Sequence, residues 1–590
     1  MSGKKADWIL SNRPLSRGQW PYQAEWLGIH CGSTEQFSVG IDTGTVLVLE
    51  GYAIPRLGRP KKNKLLRGEK IPFADAQELS ISVKGHFTIA WANSEGITLC
   101  VDHHGMSKVF IGQKGNGWWV ANNLLDLVRI LNPVIDEIGV MLFNLFEHFI
   151  GNRTMFNDIR YSQPAATLNL KESGISESVH WHPKQWLAKP KNHSNIGEWM
   201  DFWKELISGY LNGLETSEPR LTLTGGNDSR LILAALQALG ARPSAFTFGN
   251  PESYDGIISA EVSRQTGIVH QVHYIERPNS EWFQIQAREI VRQGNGMINI
   301  HRAHRLDAIR KEVATSVKQN TLFAGFMGGD YLKGLSYDDY ITAKLMRLWK
   351  AHPRGLRDHL RAVGGEKCLR LDPRLSECLV EDVIPALAFA DPALPIQARE
   401  LLYLFEVVGS LHDYQDTAVF SWEIGRVVNP FMDVDFLERL WSSPYSSLNN
   451  RARGSASRVD FCCRLTHALA PEMSDIPYAK WGGYTAREVI SSPRLLVAKR
   501  IWRHLMKTDR HARSFSYGEW FSEYAFEELS RLHQEIQQFY DMDRLIELPG
   551  KGLLGVNEGN WHRVTNPINL SLNWRHFTEN ENEDRIVAER

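Results

Sequence analysis

The 590-residue chain carries 67 Lys+Arg against 68 Asp+Glu, with 43% hydrophobic and 23% charged residues. That length exceeds a single core and implies several folding units, while a formal charge of −1 removes any global argument for nucleic acid or an anionic membrane as partner. No segment is long and apolar enough to span a bilayer, Met1-Ser-Gly-Lys-Lys-Ala-Asp7 has no signal-peptide core, and the six cysteines (Cys31, Cys100, Cys368, Cys378, Cys462, Cys463) form no C-x-x-C pair, so a cytoplasmic enzyme in a reducing compartment is expected.

The first ~190 residues read as β-rich. Short apolar or β-branched runs at 26–31, 37–41 and 45–53 suggest strands, 55–64 reads as a basic solvated loop, and 83–92 with 96–101 suggests a hairpin. Helices are expected over 122–131 and 138–149. His103 and His104 are adjacent; on a strand they would face opposite ways, so a packing role is expected rather than a shared metal.

A helix over 192–214 opens a second domain. Leu221-Thr-Leu-Thr224 reads as the end of a strand, followed by Gly225-Gly-Asn-Asp-Ser-Arg230 and a helix over 229–239 closed by Gly240. A strand that turns through two glycines into a helix leaves backbone N–H groups facing an anion, with the helix dipole behind them. Thr224 and Ser229 add hydroxyls, and Asp228 can hold a divalent cation against phosphate. Phosphate binding is therefore expected. Strands over 244–248 and 270–275 flank a helix over 255–266, an alternation that predicts a parallel sheet with ligands at the carboxyl ends of its strands. Beyond about residue 400 the pattern is mostly helical, and Asp338-Asp339 reads as a solvated loop. The expected domains are 1–190, 191–575 and a charged tail over 576–590.

Thr224-Gly-Gly-Asn-Asp-Ser229 is similar to the Ser-Gly-Gly-x-Asp-Ser pyrophosphatase loop of the asparagine synthetase superfamily, which also holds β-lactam synthetases and lasso-peptide macrolactam cyclases. Further anchors follow in the same order. Lys84-Gly-His-Phe-Thr-Ile-Ala90, Asp102-His-His-Gly-Met-Ser-Lys-Val-Phe110, Ala121-Asn-Asn-Leu124 and Gly151-Asn-Arg-Thr-Met-Phe156 resemble the glutaminase-like half. Ala245-Phe-Thr-Phe-Gly249 with Tyr254-Asp255, Gly328-Gly-Asp330, Asn429-Pro-Phe-Met-Asp433 and Ile476-Pro-Tyr-Ala-Lys-Trp-Gly482 resemble the synthetase half. The resemblance implies an α/β fold: an N-terminal glutamine-amidotransferase-like α/β/β/α sandwich, then an ATP pyrophosphatase parallel α/β domain with a helical C-terminal part.

Two departures qualify what is implied. A glutamine-dependent member needs an N-terminal cysteine as nucleophile; position two is Ser2, and Cys31 reads as a strand residue, so the first half is expected to lack glutaminase activity. Met327 stands where asparagine synthetases carry a glutamate base, Phe326 replaces a glycine, and Arg426 lies about where another glutamate is usual, with Glu423 three residues away.

The implied chemistry is activation of a carboxylate by ATP with Mg²⁺, release of pyrophosphate, and attack of an amine on the acyl-adenylate. On the matched positions, Thr224, Gly225, Gly226 and Ser229 would cradle pyrophosphate, Asp228 and Asp330 would hold Mg²⁺, Phe248 and Gly325 would border the nucleotide, and Lys480 would neutralise developing charge. Arg230 fits equally a cation beside the phosphates or an exposed salt bridge on the first helical turn. A peptide macrolactam cyclase, with a precursor peptide and companion protease, is the most specific expectation; a synthetase using ammonia or another small amine, and a nucleotide-binding scaffold without catalysis, are the alternatives. The substrate pocket is expected between residues 281–320 and the C-terminal helices.

Overall fold

The computed structural model describes residues 8–579 apart from 14–22, 27–28, 34–44, 59–64, 67–69, 73–75, 94–95, 187–194, 276–277, 316–319, 334–352, 371, 447–454, 480–482, 492–516 and 550–561. Ser2, the run 37–41, Asp338-Asp339, Lys480 and most of the charged tail thus lie outside the described residues. The fold is mixed α/β, with two antiparallel sheets and one five-stranded parallel sheet.

The amino-terminal half pairs two antiparallel sheets. The first runs Ile159–Tyr161, Phe110–Lys114, Gly117–Ala121, Trp8–Ser11, Ile29–Ser33, Gln23–Trp26 in spatial order. The second runs Gly174–Val179, Ala166–Lys171, Gly96–Val101, Val83–Asn93, Thr45–Pro55 and Leu65–Leu66. Side chains alternate between the two faces of a strand, and Leu10, Ile111, Trp118 and Val120 of the first sheet form one core with Leu99, Val101, Leu168 and Leu170 of the second. The sheets therefore pack face to face. Leu124–Leu131, capped by the Asn123 side chain on the Leu125 N–H, covers the outer side of the first sheet.

The expected 83–101 hairpin is present, with Ala90 opposite Leu99. The expected 26–31 strand is instead a hairpin, Gln23–Trp26 with Ile29–Ser33, in which Cys31 pairs with Leu10. Trp8–Ser11 was not expected as a strand, yet it lies between two partners and all four of its residues are buried. His103 and His104 sit in a turn rather than on a strand, because the Asp102 carboxylate accepts the N–H groups of His104, Met106 and Ser107.

The parallel sheet has the order His270–His273, Ser244–Phe248, Arg220–Thr222, Thr321–Phe323, Arg426–Val428. All five strands run the same way, but the order in which the chain adds them reverses between Arg220–Thr222 and Thr321–Phe323: two later strands lie on one side and two on the other. At such a switch point the connections leave to opposite sides and open a crevice beyond the carboxyl ends. The expected strand at 244–248 is met to the residue, while Thr321–Phe323 and Arg426–Val428 add two strands that the sequence reading omitted.

Buried polar contacts join the halves. Lys84 Nζ lies 2.9 Å from Asp433 and 3.0 Å from Asp435, with all three side chains at most 7% exposed. Lys108 Nζ donates to Ser410 O at 2.8 Å between the rings of Tyr161 and Tyr414. Ser410 belongs to a π-helix over Leu404–Asp413. His104 Nε2 meets Tyr331 Oη at 3.2 Å. Among the described residues, no helix is long and apolar enough to cross a membrane.

Burial holds several seam imidazoles neutral: the pKa of His104 and of His148 is pushed down to about 3, and that of His86 to about 4. Between about pH 4 and the unfolded value near 6.5 the native state binds fewer protons at these sites, so their contribution to stability rises with pH. We expect the urea midpoint to fall as pH is lowered from 7 to 5, with His148→Gln removing up to about 1.4 kcal/mol per pH unit of that slope. A flat midpoint over this window would contradict the burial of neutral histidines.

Candidate functional site

The loop after the Arg220–Thr222 strand lies at the switch point. Its helix starts at Asn227, two residues earlier than expected, and ends at Ala238, with Gly226 as N-cap and Gly240 at φ +75° past the end. The hydroxyls fix the loop. Ser229 Oγ accepts the Thr224 N–H at 3.1 Å and lies 3.3 Å from Thr224 Oγ1, which accepts the Gly226 N–H at 3.2 Å. The Gly225 N–H donates to Asp255 Oδ1 at 3.0 Å. The amides at the start of the helix, Asn227 to Ser229, are those a helix leaves for an external acceptor. Asn227 Nδ2 donates to Tyr484 Oη at 3.1 Å, and its Oδ1 is buried without a hydrogen-bond partner among the described residues.

The loop after Thr321–Phe323 closes on this turn because it carries glycines. A Cβ on Gly325 would lie 3.0 Å from Ser229 N and 3.2 Å from Asp228 Cβ. One on Gly328 would lie 2.9 Å from both Asp228 Cγ and a ring carbon of Phe431. Asp330 stands in the first turn of the short helix Gly328–Lys333 that begins there. The structure therefore brings Asp228, Gly325 and the Asp330 helix together. Met327 is buried at φ +61°, a conformation that costs an ordinary residue about 1 kcal/mol. Its carbonyl accepts the N–H groups of Asp330 and Tyr331. Phe326 stacks on Phe420 at 6.1 Å.

A third segment, Ile476–Ala479 and Gly483–Tyr484, docks on the other side. The Ala479 N–H donates to Gly225 O at 2.8 Å, and a Cβ on Gly225 would stand 2.4 Å from Ala479 Cβ. Arg230 corrects the expectation of an exposed salt bridge: the side chain is fully buried and directed at this segment. Its Nη1 and Nη2 donate to Ile476 O at 2.7 Å and Pro477 O at 2.8 Å, and its guanidinium lies 3.8 Å from the Tyr478 ring centre.

Phe248, at the carboxyl end of the neighbouring strand, packs against Phe246, Phe420 and His304, with the Arg305 guanidinium 5.7 Å from its ring centre. Behind it the Asp416 carboxylate lies 2.7 Å from Arg302 Nε and 3.0 Å from Arg305 Nη1. Burial, reinforced by Asp416 and Asp330, pushes the Asp413 carboxyl well above the usual range. Glu423, near the end of the helix Tyr414–Ile424 and three residues before Arg426, accepts from Arg310 Nε at 2.7 Å. The Arg426 side chain donates to Leu214 O at 3.4 Å.

Residues that the sequence reading left out of the site are Asn227, Asp255, Tyr478 and Tyr484. An acid at the start of the helix after the next strand was the one available signal for Asp255. Tyr478 and Tyr484 act through contacts across nearly 250 residues, which no local pattern shows. Among the described residues, no group of three or more His, Cys, Asp or Glu could hold a metal by itself, so a cation here would need ligands from a bound molecule or water. Mg²⁺ is held in this fashion, by one or two carboxylates plus phosphate oxygens and water. The chain matches no protein-family model and no curated protein, so its resemblance to the asparagine synthetase superfamily stands on the motif residues alone.

Gly225→Ala places a methyl on Ala479, and overpacking of this kind costs ~1–3 kcal/mol. We expect the unfolding free energy from urea titration to fall by that amount. An unchanged value would show that the two segments are not in contact.

Proposed function

We propose that the chain is an ATP-dependent carboxylate–amine ligase of the asparagine synthetase type, forming AMP and pyrophosphate and lacking glutaminase activity. One observation carries the reading: at the switch point of the parallel sheet, a Thr-Gly-Gly-x-Asp-Ser turn meets a Gly-Gly-Asp turn with no side chain between Gly328 and Asp228. The two face-to-face antiparallel sheets of the first half support the amidotransferase-like sandwich that the resemblance implies.

In this reading the helix-start amides and the hydroxyls of Thr224 and Ser229 orient the phosphates, with Asp228 and Asp330 supplying the carboxylates for Mg²⁺. The ion supplies positive charge to the departing pyrophosphate. Phe248 walls the nucleotide side, and Lys480, the residue after Ala479 in sequence, is the cation that the resemblance assigns to the developing charge. The hydrophobic Met327 side chain supplies no base, so the amine attacks in its neutral form: the carbon–nitrogen bond forms as the bond from the acyl carbon to the AMP phosphate oxygen breaks, and the proton lost from nitrogen passes to water or to the departing phosphate. A peptide amine is the acceptor we favour, on the Gly-Gly-Asp form of the second turn; the product is then a macrolactam, and the partners are a precursor peptide and its protease.

Asp228→Asn removes one charge from the carboxylate pair while keeping its shape. By calorimetry we expect the wild-type chain to bind ATP in the presence of Mg²⁺ and the variant to bind it at least about tenfold more weakly, a loss of ~1.4 kcal/mol. Equal affinities would remove Asp228 from the nucleotide site.

A further inference from the structure

The Arg230 side chain is built for a task that the phosphate loop cannot perform for itself. Burying a guanidinium without a carboxylate is costly unless its N–H groups are used. Here two of them reach successive carbonyls, Ile476 O and Pro477 O, while the flat face covers Tyr478. Pro477 lacks an N–H and cannot pair the segment through a ladder of its own. Buried carbonyls need donors, and Arg230 provides two from one rigid fork.

The contacts on either side of this fork form a closed ring. Arg230 lies one residue beyond Ser229, whose Oγ fixes Thr224. Gly225 accepts from the Ala479 N–H, two residues beyond Pro477. The Tyr478 N–H donates to Tyr484 O at 2.8 Å, and Tyr484 Oη accepts from Asn227 Nδ2. The bonds from Arg230, Gly225 and Asn227 join the loop and helix start to residues 476–479 and Tyr484, while the Ser229–Thr224 and Tyr478–Tyr484 bonds brace one side and the other.

We propose that Arg230 is a positioning residue: its two bonds to Ile476 O and Pro477 O hold the 476–479 segment against Gly225 and thereby keep the phosphate loop in its nucleotide-binding shape. The link to nucleotide rests on the function proposed above; the mechanical coupling does not. A lysine has one point charge and no plane, so it can replace one bond but not the fork and the ring contact.

The test compares wild type, Arg230→Met and Arg230→Lys by hydrogen–deuterium exchange of the full chain, with Mg²⁺·ATP affinity measured on the same samples. Arg230→Met should speed exchange over 473–479 by about tenfold or more while the Ser244–Phe248 strand keeps its protection, the extent expected where ~1.4 kcal/mol of local stability is lost. ATP affinity should fall by a similar factor, and Arg230→Lys should recover part of both. Unchanged exchange over 473–479 overturns the clamp whether or not the wild type binds ATP. Faster exchange spread evenly over strand and segment also overturns it, since that is general destabilisation. If the wild type binds no ATP, the proposed function fails while the exchange result still decides the clamp.

Discussion

Close approach of backbone to backbone is the constraint on which the candidate site depends. Three segments meet around Asp228 and Gly225 only because Gly225, Gly325 and Gly328 carry no Cβ; each added carbon would stand at 2.4–3.0 Å from an atom of a neighbouring segment. Contacts this short leave no room for even a methyl group. The order of strands brings the segments to one place, and the glycines let them touch. Arg230 then fastens the segment from the far end of the chain, which packing alone would leave with unpaired carbonyls.

The amino-terminal half has a physical role in this arrangement. Tyr331 follows Asp330, and its hydroxyl meets His104 of the Asp102-organised turn. Lys84 neutralises Asp433, which also caps the helix Val434–Trp441 and accepts from Tyr210 Oη at 2.7 Å. Breaking a buried pair of this kind typically costs ~3–5 kcal/mol, because it strands a charge. The amino-terminal half thus supports the loops at the carboxyl ends of the parallel sheet through the aspartate of the Asn429-Pro-Phe-Met-Asp433 motif.

Features encoded locally were legible in the sequence. The helices expected over 122–131, 192–214 and 255–266 are present as Leu124–Leu131, Ile196–Gly213 and Tyr254–Thr266, and the alternation over 83–101 marks a real hairpin. Features defined by distant partners were not. Thr321–Phe323 and Arg426–Val428 are three residues each and are strands only because they pair in parallel with neighbours far along the chain. Trp8–Ser11 hides in a polar lead-in, though its partners place it inside a sheet. Gly325 and Gly328 lie against Asp228, and the short helix that carries Asp330 begins at Gly328. Arg230 differs because its surroundings come from residues 246 and 247 positions away.

The central claim is that this crevice cleaves ATP between the α- and β-phosphates. Phosphorus-31 NMR of the purified chain with Mg²⁺, ATP and a pool of peptide carboxylates tests it most directly. The account predicts AMP and pyrophosphate in equal amounts, absent when Asp228 is Asn. ADP and orthophosphate as the products, or no cleavage with any carboxylate while ATP still binds, would contradict it.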